Sequence, residues 1–565
     1  MKAVILVLLN QLGFYLHSPK IAIVTGEPEA AVFYVVRLPA GDTVFSGALG
    51  PAVASANSSL RTYEADFTSF AKEGDYKIVV PGGGSSYPFH IGHHMAAPVA
   101  RAALKGYYYQ RSGMALDERF AGIWKRPAGH PDTAVLVHPS AVSPGRPEGT
   151  VISTPGGWYD AGDYNKYIVN SGITMGTLLS AYEDFPALYD TLHTNIPSIK
   201  GVPDLLDECL YNLRWMLTMQ DPVDGGVYHK CTNAAFDSMV MPGVTKLPRY
   251  VVQKGTAATL DFAAVMAQAS RVFKKFSRQL PGLSDSCLRA ARAAWGWAVL
   301  HPAVVYNQMA MNRTFDPMVT TGAYGDMDLR DEWYWAAAEL SVTTKIKEFA
   351  DTVQTRMKDS YGLPAWANVH MLGDYTLLRY PGTLPAAVTA SLKEHLVAMA
   401  DNYLTLAQTS AFHTVMGTGA RDLIWGSNSV AANQGVLLIK AALLTKEGKY
   451  IAGALGNLDY LLGRNATGYC FITGMGSRSP MHPHHRPSVA DGVAPPVPGL
   501  LVGGPNPGRQ DRQAYAMTEP ETAYLDDARA YASNEIAINW NAPLVYLAGA
   551  IEALLTKSLG NELER

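Results

Sequence analysis

The chain has 565 residues, 48% of them hydrophobic, with 46 Lys and Arg against 49 Asp and Glu. A single hydrophobic core rarely grows to this size, so we expect more than one domain. The near-neutral balance and the lack of a basic tract argue against nucleic acid or anionic membranes as partners. No apolar run reaches the roughly 20 residues that a membrane-spanning helix needs.

The first 94 residues alternate short β-branched or aromatic runs with turn formers, which predicts a small β-sandwich. The strand-like runs are 3–9, 21–24, 31–36 and 76–80. The run 3–9 follows Met1 and Lys2 and imitates a signal peptide, but no small-x-small cleavage site follows it. We therefore expect a secreted or periplasmic protein if a leader has been removed, with a cytoplasmic location as the alternative.

Residues 95–565 show helical periodicity throughout. Leu206, Leu210, Leu213 and Leu217 mark one apolar helix face. Similar segments are predicted at 97–112, 172–184, 256–275, 287–300, 331–342, 391–408, 430–444, 449–462 and 541–555. Ten or more helices without intervening strands indicate a large all-α domain, either a closed double ring or a solenoid.

The four cysteines show neither C-x-x-C pairs nor metal-like spacing. They are Cys209, Cys231, Cys287 and Cys470. We expect free, mostly buried thiols rather than a disulfide framework.

The segment 156–167 (GGWYDAGDYNKY) places Asp160 and Asp163 in a glycine-rich, aromatic turn just before a predicted helix. A helix cap would explain one acid. Two acids, several aromatic residues and a lysine within twelve positions favour a shaped polar pocket.

A second segment, 524–542 (YLDDARAYASNEIAINWNA), sets Glu535 among apolar residues. An apolar setting raises the pKa of a carboxyl group, which suits a proton donor at neutral pH. A capping or salt-bridged glutamate ahead of the last helix is the alternative.

The longest irregular stretch runs from 473 to about 518 and contains MHPHHRPS at 481–488. Long loops in compact domains are usually functional or disordered, and the histidine–arginine cluster favours function. His482, His484 and His485 lack a nearby Cys or carboxylate that would complete a zinc set.

Together these motifs resemble glycoside hydrolase family 9, in the subgroup with an N-terminal immunoglobulin-like domain. The segments 5–13 (ILVLLNQLG) and 107–113 (YYYQRSG) are similar to the first strand of that domain and the first catalytic-domain helix. Asp160 to Asp163, the loop 478–486 and the segment from Tyr524 to 542 match three further motifs in the family's order. The resemblance implies an immunoglobulin-like sandwich over 1–94 and an (α/α)6 barrel over 95–565.

The resemblance also implies roles for the matched residues. Asp163 would be the general base, helped by Asp160, and Glu535 the general acid of an inverting reaction. Asp526 would orient the acid or bind sugar, and His484, also counted with the catalytic residues, would hydrogen-bond sugar hydroxyls near the cut. The implied sugar-binding residues are Arg486, His485, His229, Trp425 and Tyr531.

Related enzymes often hold a structural zinc with two Cys and two His. The matching positions here are Ser112, Gly129, His130 and His138, and both cysteines are missing. A closed zinc site typically needs four ligands, so we expect no zinc here, and we expect Cys at 112 and 129 to restore it.

A calcium site is implied by Asp331 and Glu332 after the loop 321–326 (TGAYGD), with Asn368 at a position where the family has a carboxylate. Oxygen ligands suit Ca²⁺. The alternative is that Asp331 simply opens a helix. The chemistry itself requires no cofactor.

The leading functional hypothesis is an endo-β-1,4-glucanase that acts as a monomer on β-1,4-glucan or cello-oligosaccharides. An exo-acting glucosidase or glucosaminidase on the same scaffold is the runner-up. A non-catalytic carbohydrate-binding protein is the alternative from another class.

Overall fold

The structure is a computed structural model that describes residues 5–357, 362–419 and 421–563. Its N-terminal part consists of two facing sheets, with strand orders β1-β3-β7-β6 and β2-β10-β8-β4-β5, and β9 pairs with β8. The strands are β1 (Val7–Leu8), β2 (Gly13–Tyr15), β3 (Ile21–Thr25), β4 (Val32–Arg37), β5 (Thr43–Ala48), β6 (Val53–Ala54), β7 (Arg61–Asp66), β8 (Gly74–Val80), β9 (Gly84–Ser85) and β10 (Phe89–Gly92).

Alternating burial explains why these segments form a sandwich. In β8, Tyr76, Ile78 and Val80 are buried while the residues between them are partly exposed. Both sheets contribute buried side chains to one core, such as Val24 from β3 and Val35 from β4. The predicted strand 3–9 is present in its second half as β1, and residues 1–4 lie outside the described residues.

The rest of the chain is dominated by helices, as predicted. They are α1 (Ala97–Gln110), α2 (Glu118–Ala121), α3 (Ile168–Asp184), α4 (Pro186–Tyr189), α5 (Asp204–Thr218), α6 (Thr256–Phe273), α7 (Leu283–Leu300), α8 (Gln308–Thr314), α9 (Arg330–Thr344), α10 (Lys347–Arg356), α11 (His370–Arg379), α12 (Ala386–Ala407), α13 (Ser427–Thr445), α14 (Gly448–Leu461), α15 (Arg486–Ala490), α16 (Tyr531–Asn534) and α17 (Ile538–Leu563). Helices α3 and α6 are buried on nearly every face, whereas α7 and α12 bury only part of theirs. A helix that is buried all round must be covered by neighbours on every side, so α3 and α6 belong to an inner layer.

The expectation of helices without intervening strands was wrong. A five-stranded sheet of order β12-β11-β15-β14-β13 lies between the helices. Its strands are β11 (Val135–Val137), β12 (Val151–Ile152), β13 (Lys166–Tyr167), β14 (Lys230–Asn233) and β15 (Arg249–Val251). Strands of two to four residues are too short to leave a period-2 signal in the sequence.

The two parts of the chain share buried polar contacts. The Asn10 amide donates to Asp459 at 2.8 Å, and the Gln11 side chain accepts from the backbone of Ser477 and Arg478.

All four cysteines are free and buried, which confirms the expectation for them. No helix within the described residues is long and apolar enough to cross a membrane.

Candidate active site

Three backbone segments that are distant in sequence lie side by side and carry the predicted catalytic residues. Ala161 pairs with Ala537, and His484 pairs with Glu535, in isolated β-bridges. The Ile538 amide donates to the Asp160 carbonyl at 2.8 Å. The three sequence motifs therefore meet at one place, as their shared chemistry requires.

Gly162 makes this close approach possible. A Cβ atom at this position would lie 2.1 Å from the His484 carbonyl oxygen. The Arg486 amide and guanidinium both donate to the Gly162 carbonyl, at 3.2 and 2.7 Å. Any side chain at 162 would push the histidine loop away from the two aspartates.

Asp160 is buried and held from both sides. Its carboxylate accepts from the Asn170 amide and from the Tyr324 hydroxyl, each at 2.8 Å. Burial, and then the charge of Asp163, raise the pKa of Asp160 to about 8. Two adjacent carboxylates cannot both ionise easily, so Asp160 keeps the proton of the pair at neutral pH.

Asp163 has one oxygen occupied and one available. Its Oδ2 accepts from the Asn165 side chain at 2.5 Å, from the Asn165 amide at 3.3 Å and from the Tyr167 hydroxyl at 3.3 Å. Among the described residues, none donates a hydrogen bond to Oδ1. A carboxylate oriented in this way can accept a proton from water at its free oxygen.

Glu535 lies on the neighbouring segment and is only partly exposed. Burial raises its pKa well above the usual range, and the charges of Asp163 and Asp160 raise it further. Arg486 and the Gly162 amide oppose this shift. The shift favours the protonated form, which is the state that a general acid needs.

The histidine loop brings two of its residues to the site. The Nδ1 atom of His484 lies 2.6 Å from the Ala528 carbonyl, which orients the ring toward the catalytic segments. Arg486 is buried, and its Nε donates to the Asp237 carbonyl at 2.9 Å. The Arg486 guanidinium donates to the backbone carbonyls of Asp237 and Gly162, so it also fixes these two segments relative to each other.

Asp526 is linked to Glu535 through the neighbouring residue Asn534. Its carboxylate accepts from the amides of Met481 and His482, both at 2.8 Å, and from the Asn534 side chain at 3.2 Å. Asn534 precedes Glu535 directly. Asp526 therefore fixes the histidine loop against the segment that carries the acid.

Two predicted sugar-binding histidines lie inside the protein. His485 uses both ring nitrogens, with Ser488 at 2.8 Å and Gln110 at 3.0 Å, and is 1% exposed. His229 is equally buried, lies stacked on Tyr306 and contacts the Ala323 carbonyl. Neither ring is accessible to a sugar in this conformation, so the structure corrects both assignments to structural positions.

The aromatic residues do reach the cleft. Trp425 is 40% exposed and lies 5.4 Å from the Tyr531 ring, which in turn lies 5.9 Å from His484. These three rings form a line of the kind on which sugar faces stack.

On the side of Asp160, the structure adds two residues that the sequence analysis missed. Tyr324 binds Asp160 and contacts the partly exposed Trp366 ring at 5.4 Å. Tyr324 has a φ of 46°, an uncommon backbone conformation for a non-glycine residue. The only sequence signal for Tyr324 was its place in the glycine-flanked loop 321–326, and that loop had been assigned to the predicted calcium site.

The positions that match the family zinc site have other partners. His130 contacts the Tyr159 hydroxyl at 2.9 Å and Asp237 at 3.6 Å. His138 contacts Ser140 at 2.8 Å and the Pro317 carbonyl at 3.0 Å. These contacts leave little freedom for either histidine to turn toward a metal.

Nor would cysteines at 112 and 129 simply restore the zinc site. A Cβ atom on Gly129 would lie 2.5 Å from the backbone carbon of Pro242. The restoration expected from sequence would therefore require the segment around Pro242 to move.

Four buried acids gather around the start of α9. They are Asp261, Asp326, Asp331 and Glu332. Burial, and then their mutual repulsion, raise the pKa values of Asp261 and Glu332 well above the usual range. Asp326 ends the loop 321–326 on which the calcium prediction was based, whereas Asp261 was missing from the predicted set because it lies 70 residues before Asp331 with no shared motif.

Several buried oxygen atoms in this acid cluster lack a hydrogen-bond partner, including both oxygens of Asp261 and Glu332 and the Asn368 Oδ1. An oxygen-only donor set of this kind fits a hard cation such as Ca²⁺. Within the described residues, no three acidic, histidine or cysteine side chains converge closely enough to hold a metal without rearrangement.

Buried carboxyl groups on adjoining segments, beside the neighbouring rings of Trp425, Tyr531 and His484, form a site of the kind expected of a glycoside hydrolase. The sequence matches the glycosyl hydrolase family 9 profile over residues 97–548 and the profile of the cellulase N-terminal ig-like domain over 5–85. The chain belongs to glycosyl hydrolase family 9, as the motifs had indicated.

Known relatives agree with this assignment. The chain is 46% identical to a xyloglucan-specific endo-beta-1,4-glucanase of Bacteroides ovatus, over 98% of this chain and 94% of that protein. It is 33% identical to endoglucanase D of Acetivibrio thermocellus, over 96% and 83% of the two chains. A solved Bacteroides ovatus GH9 structure superposes with a TM-score of 0.92 at 44% identity, covering 97% of this chain and 99% of that one. The prediction of an endo-β-1,4-glucanase is confirmed.

Proposed function

We propose that this endoglucanase acts on β-1,4-glucan that carries xylosyl side chains, and that it cleaves the backbone with inversion. The observation that carries the mechanism is the pairing of an accessible Asp163 oxygen with a protonated Glu535 on adjoining backbone segments. The similarity to a xyloglucan-specific relative over nearly the whole of both chains supports the substrate.

In this mechanism Asp163 accepts a proton from the attacking water through its free Oδ1. Asp160 stays neutral at neutral pH and keeps its place through hydrogen bonds from Asn170 and Tyr324. Glu535 donates its proton to the glycosidic oxygen as the bond to the leaving sugar breaks. Water attacks from the face opposite the leaving group, so the new hydroxyl has inverted configuration.

His484, Arg486, Trp425 and Tyr531 are proposed to bind sugar rings on either side of the cut. The exposed edge of the Trp425–Tyr531–His484 line supports stacking along one side of the cleft. Asp526 is a positioning residue in this proposal, because its contacts are with the backbone of the histidine loop.

Three measurements test the proposal. Proton NMR of fresh xyloglucan hydrolysate should show the α-anomer first, whereas an initial β-anomer would rule out inversion. The value of kcat/KM should be higher on xyloglucan than on carboxymethyl cellulose. Viscosity should fall early on the preferred polymer, and equal or lower activity on xyloglucan would contradict the substrate assignment.

We also propose that the helices close into an (α/α)6 barrel. Supporting this, α17 packs against both α3 and α13, α3 packs against α6, and α6 packs against α9. Helix α9 packs against α11, and the largely exposed α12 packs against both α11 and α13, so the proposed inner ring is α3, α6, α9, α11, α13 and α17. Helices α7, α10 and α14 pack outside this ring against α6, α9 and α13.

A bound calcium ion is part of the proposal. Asp261, Asp326, Asp331, Glu332 and the Asn368 oxygen would hold it, and its charge would offset the repulsion within the cluster. Zinc is proposed to be absent, which the alternative partners of His130 and His138 support.

A monomer is proposed as the active unit, because the base, the acid and the residues that orient them come from one chain. We further propose that the enzyme acts outside the cytoplasm, in the periplasm or after secretion. A polymeric glucan does not cross a membrane, so the enzyme must meet it there.

A further inference from the structure

An irregular loop of residues 234–247 exposes an unusual number of apolar side chains. Phe236 is 46% exposed, Met239 36%, Val244 62% and Leu247 49%. Single exposed apolar residues are common, but several on one loop mark a surface that contacts something. The proposed mechanism uses none of these side chains.

The loop is attached to the catalytic residues. The Asp237 carbonyl accepts from Arg486 at 2.9 Å, and the Arg486 guanidinium lies 5.6 Å from the centre of the Phe236 ring. The Tyr164 hydroxyl, one residue after the catalytic base, donates to the Val240 carbonyl at 2.6 Å. Phe236 is therefore held beside the cleft and not on a remote surface.

The Arg486 guanidinium also connects Phe236 to the segments that carry the proposed catalytic residues. Arg486 binds the Gly162 carbonyl at 2.7 Å, and its charge lowers the pKa of Glu535. Through this one guanidinium, Phe236 lies close to the backbone that joins Asp163 to the histidine loop.

On its far side the loop rests on the segment that corresponds to the family zinc site. Gly129 has no side chain, and this absence lets Pro242 and Gly243 approach its α-carbon. The His130 ring contacts the Asp237 carboxylate at 3.6 Å. The loop therefore occupies space that a cysteine side chain at 129 would need.

We propose that the 234–247 loop binds xylosyl side chains of the glucan beside the catalytic segments, and that Phe236 is a specificity-determining residue. This inference rests on the proposed substrate. A xylosyl ring lacks the hydroxymethyl group of glucose, so it offers a more apolar face to an aromatic ring. Asp237 is a positioning residue that fixes Phe236 through Arg486 and His130.

The test compares Phe236→Ala with the wild type on xyloglucan and on cellohexaose, with kcat and KM measured separately. Losing the aromatic contact should lower kcat/KM on xyloglucan about tenfold, chiefly through KM, and on cellohexaose by less than about twofold. Phe236→Leu should recover part of the loss. Ile346→Ala is the matched control. Ile346 is also an exposed apolar residue, 38% exposed, and it follows the C-terminal end of α9.

Gly129→Ala provides a second, independent variant. Its methyl group would collide with Pro242 and displace the loop, so it should reproduce the selective loss on xyloglucan without altering Phe236. Thermal unfolding of each variant checks that the fold is intact.

Equal losses on both substrates, or no loss on either, would overturn the role of Phe236. A wild type that does not prefer xyloglucan to cellohexaose would overturn the proposed substrate as well. The two failures are distinguishable, because only the second appears before any substitution is made.

Discussion

Helix α3 has buried acids at both ends, and they titrate in opposite directions. Before its first turn, burial and mutual repulsion raise the pKa of Asp160 to about 8. In its last turn, burial also opposes ionisation of Glu183, but Arg271 and Arg379 outweigh it and lower the pKa to about 2. Burial is similar at the two ends, and the difference is the presence of cations.

The cation-rich end is a compact network. Arg379 binds Asp184 at 2.7 Å and Glu183 at 3.0 Å, and Arg271 joins Glu183 to Glu339 at 2.7 and 2.8 Å. The catalytic end has Arg486 near Glu535, but no cation within the described residues forms an ion pair with Asp160 or Asp163. At the Glu183 end the buried acids are paired with cations. At the Asp160 end they are not, which leaves them reactive but lowers the stability of the fold.

The largest expected effect is at the reactive end. Glu535→Gln cannot protonate the leaving group, so kcat on xyloglucan should fall by about 10³-fold or more. Reducing-sugar release measures this loss. Glu394→Gln, an exposed change of the same type on α12, should behave as the wild type. Near-native turnover of Glu535→Gln would remove Glu535 from the acid role.

The next largest expected effect comes from a substitution at the cation-rich end of α3. Arg379→Met leaves Glu183 and Asp184 buried with fewer cations, and breaking a buried ion pair from one side costs about 3–5 kcal/mol. Urea unfolding should show this loss, while kcat below the unfolding transition stays close to wild type. Arg289→Met on the exposed face of α7 is the control. A loss no larger than the control's would mean that the network contributes little.

Calcium removal should have an intermediate effect. A ligand at 100 times its Kd stabilises the folded state by about 2.7 kcal/mol, so chelation should lower the thermal midpoint measurably. Added Ca²⁺ should restore it. Asp331→Asn should have a low midpoint that Ca²⁺ no longer raises. A wild-type midpoint that is insensitive to both chelator and Ca²⁺ would contradict the site.

The smallest expected effect is on the pH dependence of the free energy of unfolding, which should differ between the Asp160 end and the Glu183 end of α3. The folded pKa of Asp160 is raised from 3.8 to about 8, so this group destabilises the fold as pH rises through that window. Asp160→Asn should therefore be more stable than the wild type at pH 7 by at least about 1 kcal/mol, and the gain should vanish near pH 4. Chemical denaturation at several pH values measures it.

The opposite end has the opposite sign. The folded pKa of Glu183 is lowered from 4.5 to about 2, so its contribution is present above about pH 4.5 and is lost as pH falls toward 2. A stability gain of Asp160→Asn that persists at pH 4 would mean that protonation of Asp160 is not its cause.

The sequence by itself determined the family and the residues proposed to carry the chemistry. Asp160, Asp163 and Glu535 stand in motifs whose residue types and order identify the family. Local periodicity placed most of the long helices within five residues of their observed ends, but it ended α17 at 555 instead of 563 and did not predict α10 or α11. Local patterns carry this information because helix formation and short motifs depend on neighbours in sequence.

Only the tertiary structure decided the neighbours of each group. Tyr324 reaches Asp160 from 164 residues away, and the 234–247 loop reaches Arg486 from about 250 residues away. The adjacent histidines of one motif illustrate the reason. On an extended segment successive side chains point to opposite sides, so His484 faces the cleft and His485 faces the core. Their sequence neighbourhood is the same, and the surfaces packed against each side of the segment make the difference.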